Sequence, residues 1–170
     1  MYAHRIADED DACKTLTNMP GECSKLWDFM STETNKEVSR QWHESFGTPN
    51  LKSAYEKFLA KDFRALFFGQ GWVDRDAYIK GDQEFVAAFE NVTMSVEQAV
   101  GEGDLVMCRM RLRGTQIAPV LGIESLGKNF EVIGFCQDRF ESGKVVEHTP
   151  LFDIASLLQQ LKGKLPETPG

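Results

Sequence analysis

Residues 94–150 alternate apolar and polar side chains with a period of two, in segments separated by glycine-containing turns. Four apolar residues share one face of the segment 105–113, namely Val106, Cys108, Met110 and Leu112. Because successive side chains of a strand point to opposite faces, such alternation is typical of strands with one buried face. The short turns at 101–104 and 141–144 favour antiparallel neighbours. This half of the chain therefore predicts an antiparallel meander.

The apolar residues of the first half recur with the spacing of helices. A capping box predicts a helix start at Thr34, and the ranges 51–59 and 82–90 each have one apolar helical face. After the strands, Asp153 is expected to cap a terminal helix. Helices followed by strands indicate an α+β fold class. Their apolar faces predict a curved antiparallel sheet wrapped around the N-terminal helices.

These patterns divide the chain into three parts. Residues 1–33 are expected to form an N-terminal extension that docks in part on the body through an apolar patch around Trp27. Residues 34–163 hold the predicted helices and strands and form one domain. Residues 164–170 contain two prolines and are expected to be a tail without regular structure.

The charge balance argues against several classes of partner. With 26 acidic residues against 19 basic ones, the net charge is −7, and such a field repels nucleic acids and anionic membranes. The densest apolar run, residues 65–68, is far shorter than the roughly 20 residues that span a bilayer. Residues 8–11 are acidic where a signal peptide would need an apolar centre, so a cytoplasmic protein is expected.

The cysteines do not have the spacing of a metal site. None of the four belongs to a Cys-x-x-Cys pair, and the chain has only three histidines. No metal and no cofactor are therefore expected. Cys108 and Cys136 fit small buried residues on strands, and a bridge between Cys13 and Cys23 stays open.

Four further features occur together in an order and spacing known from one family. In chain order they are Gly81 with the run 85–89, the turn 102–104 with the strand end 113–115, Arg139 with the turn 142–144, and Glu147-His148 with Asp153 and the run 157–161. Over residues 36–163 the chain thus resembles the SnoaL-like polyketide cyclase family, part of the nuclear-transport-factor-2-like superfamily. The resemblance implies a cone fold in which the concave sheet face and the helices enclose an apolar pocket.

The resemblance also implies two catalytic groups, and this chain lacks both. Better known members close a polyketide ring by an aldol step, using an Asp general acid/base on the last strand and a His on the strand before it. Counted from the shared Gly143-Lys144 turn, these positions fall on Pro150 and Cys136. The aldol mechanism therefore does not carry over to this chain.

Two other ionisable residues occupy the pocket face of those strands. By alternation, Asp138 shares a face with Cys136 and Phe140, and His148 shares a face with Pro150. Asp138 is predicted to be the catalytic acid/base, with His148 orienting it or relaying its proton. The alternatives are an Asp138 that is solvated or paired with an Arg, and a satisfied, half-buried His148.

Apolar and aromatic side chains are expected to line the rest of the pocket. The predicted lining residues are Trp42, Trp72, Tyr78, Cys108, Met110, Cys136, Phe140 and Pro150. Packing in the core is the alternative for each aromatic residue.

The polar face of the segment 105–113 predicts the oligomeric state. Arg109, Arg111 and Arg113 lie there beside Met107. On a fold that commonly pairs through its sheet, this surface predicts a homodimer.

Two functions of different classes fit these features. The leading hypothesis is a cofactor-independent acid/base enzyme that cyclises, isomerises or otherwise rearranges a hydrophobic small molecule in secondary metabolism. The alternative is a non-catalytic module for ligand binding or dimerisation, since the family's catalytic pair is absent. Epoxide hydrolysis, also found on this fold, would need an Asp–Arg–Asp set that the sequence does not bring together.

Overall fold

The computed structural model describes residues 20–67 and 71–162. The helices of these ranges are α1 (Pro20–Glu44), α2 (Leu51–Phe58), α3 (Arg75–Ala87) and α4 (Ile154–Lys162). The strands are β1 (Leu59–Phe67), β2 (Gly71–Asp74), β3 (Phe89–Glu102), β4 (Leu105–Gln116), β5 (Asn129–Glu141) and β6 (Lys144–Phe152). They form one sheet in the order β2-β1-β6-β5-β4-β3, so the α+β fold class is confirmed.

The antiparallel meander is also confirmed. Strands β3 to β6 pair with their sequence neighbours in antiparallel fashion. The apolar face predicted for β4 is buried, with Val106 fully covered and Leu112 only 3% exposed. This face meets α1, which packs against β3 and β4.

Strands β1 and β2 extend the sheet beyond the predicted meander. β2 pairs with β1 in antiparallel fashion, whereas β1 pairs with β6 in parallel, so the sheet is not antiparallel throughout. The parallel pair is possible because α3 and the strands of the meander intervene between β1 and β6 in the chain. β1 follows α2 without a loop. Its first residue, Leu59, continues the apolar helical spacing of α2, so the sequence pattern did not indicate where the strand begins.

The predicted helix start at Thr34 is wrong, because α1 begins at Pro20 and passes through the capping-box residues. Thr32 and Asn35 are buried on the same side of α1 as Ser39. The buried face of the helix therefore extends to residues before Thr34. Residues 1–19 and 163–170 and the side chains of residues 20–30 lie outside the described part of the chain. The predicted docking around Trp27, the Cys13–Cys23 bridge and the tail at 164–170 fall there and stay predictions.

The third helix also begins earlier than predicted. Its N-cap is Asp74, whose Oδ1 accepts a hydrogen bond from the Ala77 amide at 2.9 Å. The capping of α4 by Asp153 is confirmed, since the Ser156 amide donates to Asp153 Oδ1 at 2.9 Å. Among residues 20–67 and 71–162, no helix is long and apolar enough to cross a membrane.

Candidate active site

Four polar side chains meet in the core between α1 and the sheet. Asp138 on β5 lies opposite His148 on β6 in the antiparallel register. Ser39 and His43 stand one turn apart on α1 and reach them from above the concave face. All four are buried, Asp138 and Ser39 completely. Because these polar groups are shielded from water, they must form their hydrogen bonds with one another.

Asp138 is the acceptor for the other three side chains. Its Oδ1 accepts from His148 Nδ1 at 2.7 Å, and its Oδ2 accepts from His43 Nε2 at 2.9 Å. The Ser39 hydroxyl also donates to Oδ2. Cys136 Sγ lies 3.2 Å from His43 Nε2, so the thiol borders the same cluster. Since an ionised carboxylate only accepts, both imidazoles turn a protonated nitrogen towards it.

The charges of the cluster rest on Asp138 and His43. Burial opposes the charge of Asp138, but His43 and His148 outweigh it and hold the pKa of that carboxyl well below its usual range. Burial also opposes protonation of His43, but Asp138 prevails and raises the pKa of that imidazole. For His148, burial prevails and lowers the pKa. These shifts favour a carboxylate–imidazolium pair of Asp138 and His43 beside a neutral His148.

An apolar cavity lies beside this cluster, with about 80 Å³ of space for water-sized molecules. Of the predicted lining residues, Trp42, Tyr78, Met110 and Pro150 lie on its wall. Its ionisable lining residues are His43, Tyr78, Asp82 and His148. Most of the wall is apolar, so the cavity suits a compact hydrophobic molecule.

The geometry favours a division of roles opposite to the predicted one. Asp138 has no exposed surface, does not line the cavity and stays ionised, so it has no proton to exchange with a ligand. His148 does line the cavity. Its Nδ1 is held by Asp138, and its Nε2 makes no hydrogen bond to the described residues. Asp138 thus fixes the tautomer of His148 and leaves Nε2 able to accept a proton.

Three predicted lining residues lie in the core rather than on the cavity wall. Cys108, Cys136 and Phe140 are each at most 3% exposed. These three residues lie on the same concave sheet face as Met110. Ser39 and His43 of α1 pack over the part of this face that holds Cys108, and Ser39 Oγ lies 3.4 Å from Cys108 Sγ.

The assignment of Trp72 to the pocket is wrong. This side chain is 50% exposed. It lies on the outer face of the edge strand β2, where the Arg64 guanidinium stacks over its ring at 4.7 Å. Alternation along β2 turns Val73, its neighbour, towards the core instead.

The sequence patterns did not single out Ser39, His43 or Asp82. A signal was present for the first two, because His43 follows Trp42 of the apolar stripe and Ser39 precedes it by one turn. Asp82 lies one turn after Tyr78 on the cavity side of α3. For each of these three residues, a polar side chain next to the apolar face of a helix was the sequence signal that could have indicated a site residue.

The cluster also contains possible metal donors that the cysteine and histidine spacing did not predict. His43, Cys136, Asp138 and His148 each offer one ligand atom, and these atoms lie within 4.8 Å of one another. Such donors suit zinc. The hydrogen bonds from Ser39, His43 and His148 to Asp138 account for the geometry, so a metal is not needed to explain it.

Solved structures show the same fold. A candidate SnoaL-like polyketide cyclase from Jannaschia sp. CCS1 has 22% sequence identity and a TM-score of 0.72, over 79% of this chain and 95% of that chain. IdmH from Streptomyces antibioticus, a candidate polyketide cyclase, has 25% identity and a TM-score of 0.67, over 76% and 99%. AclR from Streptomyces galilaeus, a candidate hydroxylase, has 23% identity and a TM-score of 0.70, over 81% and 86%.

No curated protein matches the chain. The sequence model of the SnoaL-like polyketide cyclases, however, matches residues 36–161, which is most of the chain. This match and the cone-shaped sheet agree with the resemblance read from the motifs. The chain belongs to the SnoaL-like polyketide cyclase family.

Proposed function

We propose that the protein is a cofactor-independent acid/base enzyme that rearranges a compact hydrophobic molecule, with His148 as the general base. The observation that carries this proposal is the position of the His148 imidazole on the cavity wall, with Nδ1 held 2.7 Å from Asp138 Oδ1. Burial lowers the pKa of this imidazole and so favours its neutral form. A base of this kind removes a proton from carbon or oxygen of the bound molecule.

The surroundings of His148 support this role. When Nε2 accepts a proton, the imidazole becomes positive while its Nδ1 lies 2.7 Å from the Asp138 carboxylate. The opposite charge stabilises the protonated state as it forms, in a cavity where apolar walls weaken competition from water. Trp42 and Tyr78 hold the ring in place by edge contacts, with centroids at 4.8 and 5.6 Å.

One observation favours the non-catalytic alternative. The hydrogen bonds to Asp138 would equally suit a structural cluster that only stabilises the core. The cavity would then bind a ligand without transforming it. Turnover of a probe that needs only a base distinguishes the two functions.

A suitable probe is 5-nitrobenzisoxazole, whose isoxazole ring opens at the N–O bond when a base removes the proton on C3. We expect the protein to open it with saturation kinetics and faster than an equal concentration of free imidazole. The rate should not change after dialysis against EDTA, which would remove a metal from the donor cluster. Binding of the probe without turnover above the imidazole rate would favour the binding module.

The pH dependence of this reaction provides a second prediction. His148 faces Asp138 and His43, and burial sets its pKa below the ordinary 6.5. Because the neutral imidazole is the active form, kcat should be constant above about pH 6.5 and fall as the pH is lowered through the pKa of His148. A kcat that rises towards acid pH in stopped-flow assays would contradict His148 as the base.

A homodimer formed through the outer sheet face remains a prediction. Arg111 lies 2.5 Å from Glu97 there, so the arginine row is ion-paired. Beside it, Phe135 and Leu151 lie opposite each other and are 49% and 67% exposed. Such an apolar patch favours association between copies of the chain.

Light scattering after size exclusion should report about twice the chain mass of 19.2 kDa. Phe135→Lys should shift the protein to monomer, because it places a charge in the apolar patch. Leu126→Lys is the matched control, since Leu126 is 57% exposed away from the strands. A monomeric wild type at micromolar concentration would contradict the dimer.

A further inference from the structure

Asp82 is the one carboxyl group among the described residues that line the cavity. It lies on α3 one turn after Tyr78, whose ring is 5.6 Å from that of His148. From α2, the Tyr55 hydroxyl donates to Asp82 Oδ2 at 2.6 Å. Tyr55 is only 1% exposed, so a rigid donor from a second helix holds the carboxyl in place.

Close packing brings this part of α3 to the cavity. A Cβ atom at Gly81 would lie 2.7 Å from Cζ of Phe67, which itself lines the cavity. A larger residue at this position would have to displace the Phe67 ring. The next residue along the helix is Asp82, so the glycine and the carboxyl act together to shape this wall.

The surroundings of Asp82 also favour a carboxyl that keeps its proton. Burial raises its pKa to about 6, against the opposing effects of the Tyr55 hydrogen bond and of His43. Tyr78 also faces it, and burial raises the pKa of both tyrosines well above the usual value, so neither phenol loses its proton. Since Tyr55 donates to Oδ2, a proton on Asp82 belongs on Oδ1, which makes no hydrogen bond to the described residues.

We propose that Asp82 is a second catalytic group, a general acid that protonates the carbonyl oxygen of an enolisable ketone while His148 removes its α-proton. This inference rests on the proposed function and deepens it, because it assigns the acid that acts together with the base. An acid and a base on one cavity wall are the combination that enolisation needs.

The proton transfers balance without a co-reactant. The α-C–H bond breaks, its proton passes to His148 Nε2, and its electron pair forms the new C=C bond. The electron pair of the carbonyl π bond moves to oxygen, which takes the proton of Asp82. When the ketone is β,γ-unsaturated, His148 then delivers its proton to the γ-carbon, the Cβ=Cγ electron pair forms the new C–H bond, and the double bond moves to Cα=Cβ. Asp82 recovers the enol proton as the carbonyl re-forms.

Two probes separate the acid from the base. Conversion of cyclohex-3-enone to its conjugated isomer needs a proton at the carbonyl oxygen. Opening of 5-nitrobenzisoxazole forms a stable nitrophenolate, so this reaction needs little help from an acid. Asp82→Asn should lower kcat for the ketone about 10²-fold and leave the ring opening within about threefold. Asp76→Asn is the matched control: it changes the same group on the same helix, where the side chain is 96% exposed.

The pH profiles provide a second signature. Wild type should show a bell-shaped profile with the ketone, falling as the pH rises above about 6 because Asp82 loses its proton. Asp82→Asn should lose this alkaline limb and keep the acidic limb of His148. Equal losses of both reactions, or an unchanged alkaline limb, would overturn the role of Asp82.

A binding measurement keeps the inference testable if the wild type turns over neither probe, an outcome that would overturn the proposed function. Infrared spectra of bound cyclohexanone labelled with ¹³C at the carbonyl report hydrogen bonding to its oxygen. A protonated Asp82 should lower the C=O stretching frequency below pH 6, and Asp82→Asn should abolish this pH-dependent shift. An identical frequency in both proteins would overturn the inference by itself.

Discussion

Replacing His148 by glutamine should lower kcat for the opening of 5-nitrobenzisoxazole by about 10²–10⁴-fold, the usual cost of removing a general base. Glutamine can still donate a hydrogen bond to Asp138 and nearly fills the volume of imidazole, but its amide does not accept a proton near neutral pH. The KM for the probe should change little, because apolar residues form most of the cavity wall. Steady-state kinetics of the purified variant measure both constants.

Glu147→Gln is the matched control for this substitution. Glu147 is the neighbouring residue on β6, but it faces outwards and lies 2.9 Å from Arg139. The control should keep kcat within about twofold, as expected for a surface change remote from the site. A His148→Gln protein with the wild-type circular dichroism spectrum and wild-type kcat would eliminate His148 as the base.

Replacing Asp138 by asparagine should destabilise the protein by about 3–5 kcal/mol, the cost of breaking a buried ion pair by removing one partner. The two side chains have nearly the same shape, so the loss is electrostatic. Asparagine leaves the buried His43 imidazolium without its counter-charge and replaces one acceptor oxygen by a donor. Urea unfolding at pH 6 measures the difference in the free energy of unfolding.

The pH dependence of this difference follows from the direction of the pKa shift. Folding depresses the pKa of Asp138 below its ordinary 3.8, so the folded state favours the carboxylate. The advantage of wild type is therefore complete between about pH 4 and pH 6.5. It is lost as the pH falls towards the folded-state pKa of Asp138, and it decreases as the pH rises through the raised pKa of His43. Asp76→Asn, at an exposed site, should change the stability by less than about 0.5 kcal/mol. An Asp138→Asn protein as stable as this control would show that the cluster does not hold the ion pair.

Much of the fold follows from local rules that act along the sequence. Alternation of side chains along a strand is a property of the backbone, so it placed Asp138 and His148 correctly on the concave face before any packing was known. The capping of α4 by Asp153 is equally local, since the carboxylate and the amide that it accepts from are three residues apart.

These rules fail where pairing or packing overrides them. Alternation would put Val100 on the buried face with Val96, but the register with β4 shifts between Val96 and Gln98, and Val100 is 54% exposed. A single irregularity turns the following side chains to the other face. In the same way, Trp72 was predicted in the pocket because it is aromatic, but its position on the edge strand exposes it.

The sequence by itself determined the fold class, the family and the face on which Asp138 and His148 lie. Only the tertiary structure decided the roles within the site. Ser39 and His43 reach Asp138 from a helix almost a hundred residues earlier in the chain. Together with His148, His43 lowers the pKa of this carboxyl and so favours the carboxylate. We therefore propose His148 and Asp82, rather than Asp138, as the groups that exchange protons with a ligand. Protonation depends on burial and on neighbouring charges, and both arise only when distant segments pack together.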